Sequence, residues 1–315
     1  MHTTQTIMQF VGVTTGQSSI NRLFPLLATE MGLTDVRLEG RDLPLRAPAG
    51  AYRAVADDIA ASARVRGALV TTHKVDLFAS ARDRFASVDE HADLLGEISC
   101  ITRTSGGLTG HAKDPVTAGR TLDAMVGPGY FDRGGGHVLC LGAGGAGLAT
   151  VVTLLLRGGA GDRPGRVVLT DVREDRLHAA REVIDRIGAE DRVDFELTGE
   201  GTGLLERMPP GSMVVNATGL GKDRPGSPLA ARARFPRSAV VWDFNYRGGL
   251  DFLAQARAQE QERDLRVEDG WRYFVNGWVE HTAEVFGVAL DQARLDRLHA
   301  AADRWRSTPA PDEST

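Results

Sequence analysis

Short apolar runs alternate with longer stretches of helical periodicity along almost the whole chain. Runs at residues 9–13, 36–39 and 67–71 read as strands, and segments 20–31, 51–63 and 77–85 carry an apolar face at helical spacing. Segment 97–110 reads as a hairpin, because Ser105-Gly106-Gly107 is a turn signal between two strand-like arms. A helix over 117–125 leads through Gly127-Pro128-Gly129 and Arg133-Gly134-Gly135-Gly136 into a second set of elements. Strands are expected there at 138–141, 166–170, 193–197, 212–216 and 239–243, with helices over 148–156 and 173–187 between the first of them. Helices over 250–263, 271–286 and 291–306 complete the pattern. Strands separated by helices imply parallel sheets. The expected division is a first α/β domain over 1–115, joined by helices returning from 271–306, and a second over 116–270. A disordered tail is expected at 307–315.

The turn after the strand at 138–141 narrows the function. Gly142-Ala143-Gly144-Gly145-Ala146-Gly147 is a G-x-G-x-x-G segment between a strand and an apolar helix, the order a dinucleotide site needs. Gly142 permits the tight turn, Gly144 lets the backbone approach a pyrophosphate, and Gly147 lets the helix pack on the strand. The helix N-terminus offers N–H groups to the phosphates. The fold class expected is therefore α/β: an N-terminal α/β substrate domain plus a Rossmann-type doubly wound parallel-sheet NAD(P)-binding domain. Gly142, Gly144, Gly145, Ala146 and Gly147 are its candidate pyrophosphate contacts.

Asp171 ends the next strand, 24 positions after Gly147. A carboxylate there accepts hydrogen bonds from the adenosine ribose, which favours NAD and repels the 2′-phosphate of NADP. Arg173 and Arg176 follow within one helical turn and offset part of that repulsion, so NADP stays open. Asp171 also suits the N-cap of the helix over 173–187.

Composition removes several classes. Of the 315 residues, 42% are hydrophobic and 25% charged, which fits a globular chain with two cores. The net charge of −5 argues against a nucleic-acid partner. The longest apolar stretch, 148–156, is too short to cross a bilayer, and the first residues lack the pattern of a signal peptide. Cys100 and Cys140 belong to no C-x-x-C pair, so neither a disulfide framework nor a metal site is expected, and a cytoplasmic protein is.

Seven short blocks, in order and across nearly the whole chain, resemble those of the shikimate/quinate dehydrogenase family. Residues 12–18 are similar to its glycine–serine substrate loop, and Leu69-Val70-Thr71-Thr72-His73-Lys74 to its N-V-T-x-P-x-K block with one residue missing. Residues 96–101 are similar to G-A-V-N-T, and residues 110–114 to G-x-N-T-D. The glycine loop, Asn216-Ala217-Thr218 with Gly221, and Asp243-Phe244-Asn245-Tyr246 complete the set. The resemblance implies a Lys74–Asp114 catalytic pair that manages the proton of a ring alcohol while hydride passes to the nicotinamide. It implies substrate contacts from Ser18, Thr71, Ser99, Tyr246 and Asn276. On the cofactor side it implies Asp171, Arg173, Asn216, Thr218 and Gly221, with the substrate bound in a cleft between the domains.

The departures gather in the substrate loop. Ile20 and Asn21 stand where the family has a second serine and a proline, and Ser99, Ala112 and Asn276 replace longer amides. One lost contact to a charged group is worth roughly 1.5–3 kcal/mol, so several reshape a pocket. Ser19, Thr14, Thr15, Gln17, His73, Lys113 and Arg247 are candidates for rebuilt recognition. The reading is an NAD-dependent dehydrogenase acting on a quinate- or shikimate-like ring alcohol, or on a modified cyclitol acid, with NADP as second cofactor. Its partner is that small molecule, and a homodimer is compatible with it. Two alternatives are carried alongside: a folate- or pterin-linked methylene dehydrogenase, and a non-catalytic nucleotide-binding sensor.

Overall fold

The computed structural model describes residues 5–134, 136–157, 162–222 and 224–308, and divides the chain into two units, Met1–Lys113 with Val275–Thr315, and Asp114–Phe274. Gly135 of the expected linker and residues 309–315 of the expected tail lie outside the described residues. The first unit is built on β1 (Thr6–Gly12), buried at six successive positions as a central strand must be. α1 (Ile20–Glu30) buries Ile20, Leu23, Phe24, Leu27 and Ala28, one face at helical spacing. β2 (Val36–Asp42), α2 (Ala49–Ala61), β3 (Val65–Val70), α3 (Lys74–Ala81), β4 (Phe85–Val88), α4 (Glu90–Leu95), β5 (Cys100–Thr104) and β6 (Gly107–His111) follow.

The sheet order is β2-β1-β3-β5-β6-β4. β1 runs parallel to β2 and β3, whereas β5 pairs antiparallel with β3 and β6, so this sheet is mixed. The helix expected over 77–85 starts earlier and stops at Ala81. Phe85 instead opens β4 beside β6, where its buried ring anchors the sheet edge.

The second unit holds α5 (Asp114–Val126), α6 (Tyr130–Gly134), β7 (Val138–Leu141), α7 (Gly145–Leu156), β8 (Val167–Asp171), α8 (Glu174–Arg186), β9 (Val193–Leu197) and α9 (Thr202–Leu205). β10 (Met213–Asn216), β11 (Val240–Asp243), α10 (Asp251–Arg257), α11 (Glu260–Arg263) and β12 (Arg266–Glu268) complete it. Its sheet, β12-β11-β10-β7-β8-β9, is parallel throughout. The chain leaves β7 in one direction and returns to start β10 on its other side, which puts a topological switch point between those strands.

The single helix expected over 250–263 is two short ones. The Gln259 side chain, at the break, donates to Ala233 O and accepts from Phe235 N. The three-residue β12 has too few positions to show a period, and pairing with β11 alone reveals it.

α12 (Trp271–Phe286) and α13 (Gln292–Ser307) end the described chain, so residue 307, expected in the tail, closes a helix. In the first unit Trp278 of α12 meets Phe10 and Phe24 edge-on, with centroids 4.9 and 6.5 Å apart. Among the described residues no helix is long and apolar enough to cross a membrane.

Two buried positions generate stability predictions. Ile20 is fully buried, so Ile20→Ser leaves a cavity and an unserved hydroxyl. The expected cost is about 3 kcal/mol, a fall in Tm of roughly 6–12 °C by calorimetry. Asp243, buried at the end of β11, is pushed up to about 7, chiefly by burial and against hydrogen bonds from Asn245 and Asn216. The folded state then keeps a proton that the unfolded chain loses near its ordinary value of 3.8. Stability therefore falls as pH rises from about 4 to about 7, by up to roughly 4 kcal/mol, and levels off above. Asp243→Asn is expected to remove that slope in urea titrations between pH 4 and 8.

Candidate functional site

The nucleotide side of the site is set at the switch point of the parallel sheet. Gly142 has φ of 108°, and a Cβ there would lie 2.7 Å from the carbonyl of Ala217, which follows β10. Ala217 N in turn donates to Leu141 O at 2.7 Å, closing the two strand ends on each other. A Cβ on Gly147 would collide with the carbonyl oxygen of Gly142, so only glycine lets α7 start this close to β7. Gly144 is the N-cap of α7, and a Cβ there would meet nothing nearer than the Arg176 guanidinium at 3.8 Å. The first intrahelical bond is Leu148 N to Gly144 O, so the N–H groups of Gly145, Ala146 and Gly147 have no intrahelical acceptor. An open approach over a helix N-terminus is what a pyrophosphate fits.

Asp171 ends β8 as expected, with its carboxylate turned toward the glycine turn. Its carboxylate is buried and accepts from Ala143 N at 2.9 Å and Arg173 N at 3.0 Å, with the Arg176 guanidinium 3.4 Å away. It therefore pins the glycine turn to the end of β8. It does not cap α8, whose N-cap is Arg173. Arg173 itself forms a two-pronged pair with Asp175. Asn216 is likewise turned inward: its Nδ2 donates to Leu220 O and to Asp243 Oδ1, and its Oδ1 accepts from Thr218 N and Thr218 Oγ1. Thr218 Oγ1 accepts from Leu220 N, and Gly221, at φ of 92°, closes the same loop through Arg224 O. These residues shape the wall of the turn beside Gly142.

In the first unit the candidate residues gather where β1 and β3 end. A Cβ on Gly12 would lie 3.1 Å from both Thr71 and Thr15, so the 12–18 segment and the segment after β3 are neighbours. Thr71 N donates to Val11 O at 2.9 Å. Thr72 has φ of 57°, a left-handed conformation that β-branched residues rarely adopt. Such a residue stores of order 1–3 kcal/mol of strain. The turn is short, with Thr71, Thr72 and His73 between β3 and α3, and delivers Lys74 as the first residue of α3. The Lys74 side chain is 14% exposed and its Nζ lies 3.4 Å from Oε1 of Glu97, whose side chain is 1% exposed. Asp114 is half-buried at the first residue of α5, in the second unit.

Several expected pocket residues have hydrogen-bond or ring partners of their own. Ser99 is buried; its hydroxyl meets His111 O, Lys113 N and His281 Nε2, so it braces the strand end preceding Asp114. His73 is a core histidine, between Tyr52 OH at 3.3 Å and Leu43 O at 3.1 Å. Thr15 N and Oγ1 both donate to Asp42, whose carboxyl is held below its ordinary range by those bonds, the hydroxyl bond first. Lys113 bonds Glu284 at 2.8 Å; burial works against its charge, yet the Glu284 bond holds the ammonium above its ordinary range. Asn276 is buried with Oδ1 2.9 Å from His299 Nε2, and Tyr246 packs its ring on Phe274 and Trp271.

Ser18 is half-buried, its Oγ accepting from Ile20 N, whereas Thr14, Gln17 and Arg247 are exposed. Asn21 donates to the carbonyls of Thr15 and Gly16 and so holds the loop. Glu97, Asp42, Glu284 and Asp89, which caps α4 through Ala92 N and lies 3.4 Å from His111 Nδ1, were not singled out in the sequence. Glu97 alone carried a signal, as a lone acid within the small and apolar run 94–101.

No protein-family model matches the chain. It is 28% identical to the shikimate dehydrogenase (NADP(+)) of Streptococcus thermophilus over 176 residues, and spans just over half, 57%, of that enzyme. The quinate dehydrogenase of Corynebacterium glutamicum, solved in complex with NAD, superposes with a TM-score of 0.73 at 20% identity, covering 96% of this chain and 99% of that one. The shikimate dehydrogenase (NADP(+)) of Brucella ovis is 30% identical over 258 residues, 80% of each chain. With that extent of sequence likeness on a fold shared nearly end to end, this chain belongs to the shikimate dehydrogenase family.

Proposed function

We propose that the protein is an NAD-dependent oxidoreductase. It would move hydride reversibly between a ring secondary alcohol, quinate- or shikimate-like or a modified cyclitol acid, and a nicotinamide cofactor. The observation that carries this reading is the glycine turn at the switch point, where the backbone at Gly142 and Gly147 excludes any side chain and α7 presents its N-terminus. The names of the relatives, shikimate and quinate dehydrogenases, agree with it.

Gly142, Gly144, Gly145, Ala146 and Gly147 would hold the pyrophosphate. When bound, the nicotinamide supplies the hydride acceptor. Lys74 and Asp114 would hold the alcohol oxygen by hydrogen bonds and manage its proton, and Ser18, Thr71, Tyr246 and Asn276 would contribute to substrate binding. Ser99 would act indirectly, by fixing the backbone of Lys113 beside Asp114.

The preference for NAD rests on charge around the end of β8. Arg173 is paired with Asp175 and Arg176 lies against Asp171, so the two cations near this end already face carboxylates. A 2′-phosphate would have to break those pairs, whereas a 2′-hydroxyl would not.

NAD is therefore expected to raise Tm more than NADP does at equal concentration; equal shifts would remove the NAD assignment. Reduction of NAD, followed by NADH absorbance, is expected with at least one member of a panel of shikimate, quinate, their amino analogues and neutral cyclitols. Silence across the panel with either cofactor would sink the reading.

A further inference from the structure

Glu97 is a carboxylate with almost no access to water, placed beside the lysine that opens α3. Two separate links join it to Lys74. The side chains approach to 3.4 Å, and the next residue, Ile98, donates its N–H to the backbone carbonyl of Lys74 at 3.1 Å. The local chain is built to bring it there. Gly96 ends α4 in a left-handed conformation (φ 61°), Glu97 N returns to Ala92 O, and Val70 N then pairs with Ser99 O. A buried carboxylate is costly without a cation, so its position is set by the lysine as much as the reverse. We propose that Glu97 is a positioning residue: its carboxylate is the counter-ion that keeps the Lys74 amine protonated at rest and holds it in place for the substrate hydroxyl. This rests on the reading of Lys74 and Asp114 as the pair that holds the alcohol: the ammonium donates to the alcohol oxygen, and the hydroxyl proton would pass to the Asp114 carboxylate.

The flanking elements carry other ionisable groups, among them Asp114 at the start of α5. Asp76 accepts from Tyr52, His73 lies between Tyr52 and Leu43 O, and Lys113 bonds Glu284 with Glu280 4.0 Å away. Glu90 and Asp93 lie in the first turn of α4, at the end opposite Gly96.

The test uses the full chain as wild type, Glu97→Gln, Glu97→Asp and Lys74→Met. Trace acetylation with acetic anhydride across pH, read on the Lys74 peptide by mass spectrometry, reports the charge of that amine without any substrate. In Glu97→Gln the labelling midpoint is expected about one pH unit lower, because loss of an adjacent opposite charge disfavours the ammonium. With the alcohol oxidised in the NADH screen, kcat is expected to fall at least tenfold, with KM within threefold and the thermal shift by NAD unchanged. Glu97→Asp keeps the charge but retracts it by one methylene, and is expected to give intermediate values. It decides the matter if the Gln variant loses its cooperative melt. An unmoved midpoint, or a moved midpoint with wild-type kcat, would overturn the proposal. Full turnover in Lys74→Met would instead overturn the role of Lys74, and the labelling midpoints would still report whether Glu97 governs its charge.

Discussion

Backbone against backbone at the end of β7 is the constraint on which the second unit depends. The Gly142 turn lies against the Ala217 carbonyl, and Gly147 lies against Gly142. Any side chain at either position would push α7 off β7 or β7 off β10. That contact keeps the two strand ends together at the switch point and leaves the N-terminus of α7 pointing beyond the sheet. Asp171 completes the arrangement from the other side, because its carboxylate ties Ala143 to β8. The turn is thus held by hydrogen bonds from one neighbour and by steric exclusion from the other. A rigid, open backbone surface results, which suits phosphates better than a flexible loop would.

The first unit solves a different problem, the burial of charge. Lys74, Glu97, Lys113, Glu280 and Glu284 are largely withdrawn from water and arranged as opposite charges within reach of one another. In such surroundings an unpaired charge costs several kcal/mol, so each of these side chains has little freedom to move. That rigidity has a chemical use at Lys74, where a small error in the position of an amine weakens its hold on a hydroxyl. Lys113 is held in the same way, between Glu284 and Glu280.

The polar residues around the strand ends mostly build loops. Asn216, Thr218 and Asn245 spend their hydrogen bonds on the 216–221 turn, and Asn21 spends its own on the carbonyls of the 15–16 turn. In each case a short amide or hydroxyl bonds backbone within a few residues or in the adjoining loop, the habit that makes these residue types frequent in turns. The strain at Thr72 and the buried pairing of His73 have the same origin: a short connection from β3 to α3, closed by the His73 ring.

The sequence by itself determined the alternation of strands and helices, the parallel order of the second sheet, the glycine turn and its place before α7. These follow from local rules: which residues tolerate a turn, and at what period apolar side chains recur. Only the tertiary structure decided that Asp171 faces the glycine loop, that His73, Ser99 and Lys113 are consumed within the first unit, and that Glu97 lies beside Lys74. Those facts depend on which side chain meets which across distances of 20 to nearly 200 residues, as between Ser99 and His281. A polar residue reads the same in a sequence whether its partner is a ligand or a neighbouring strand. The packing that brings the partner selects between them.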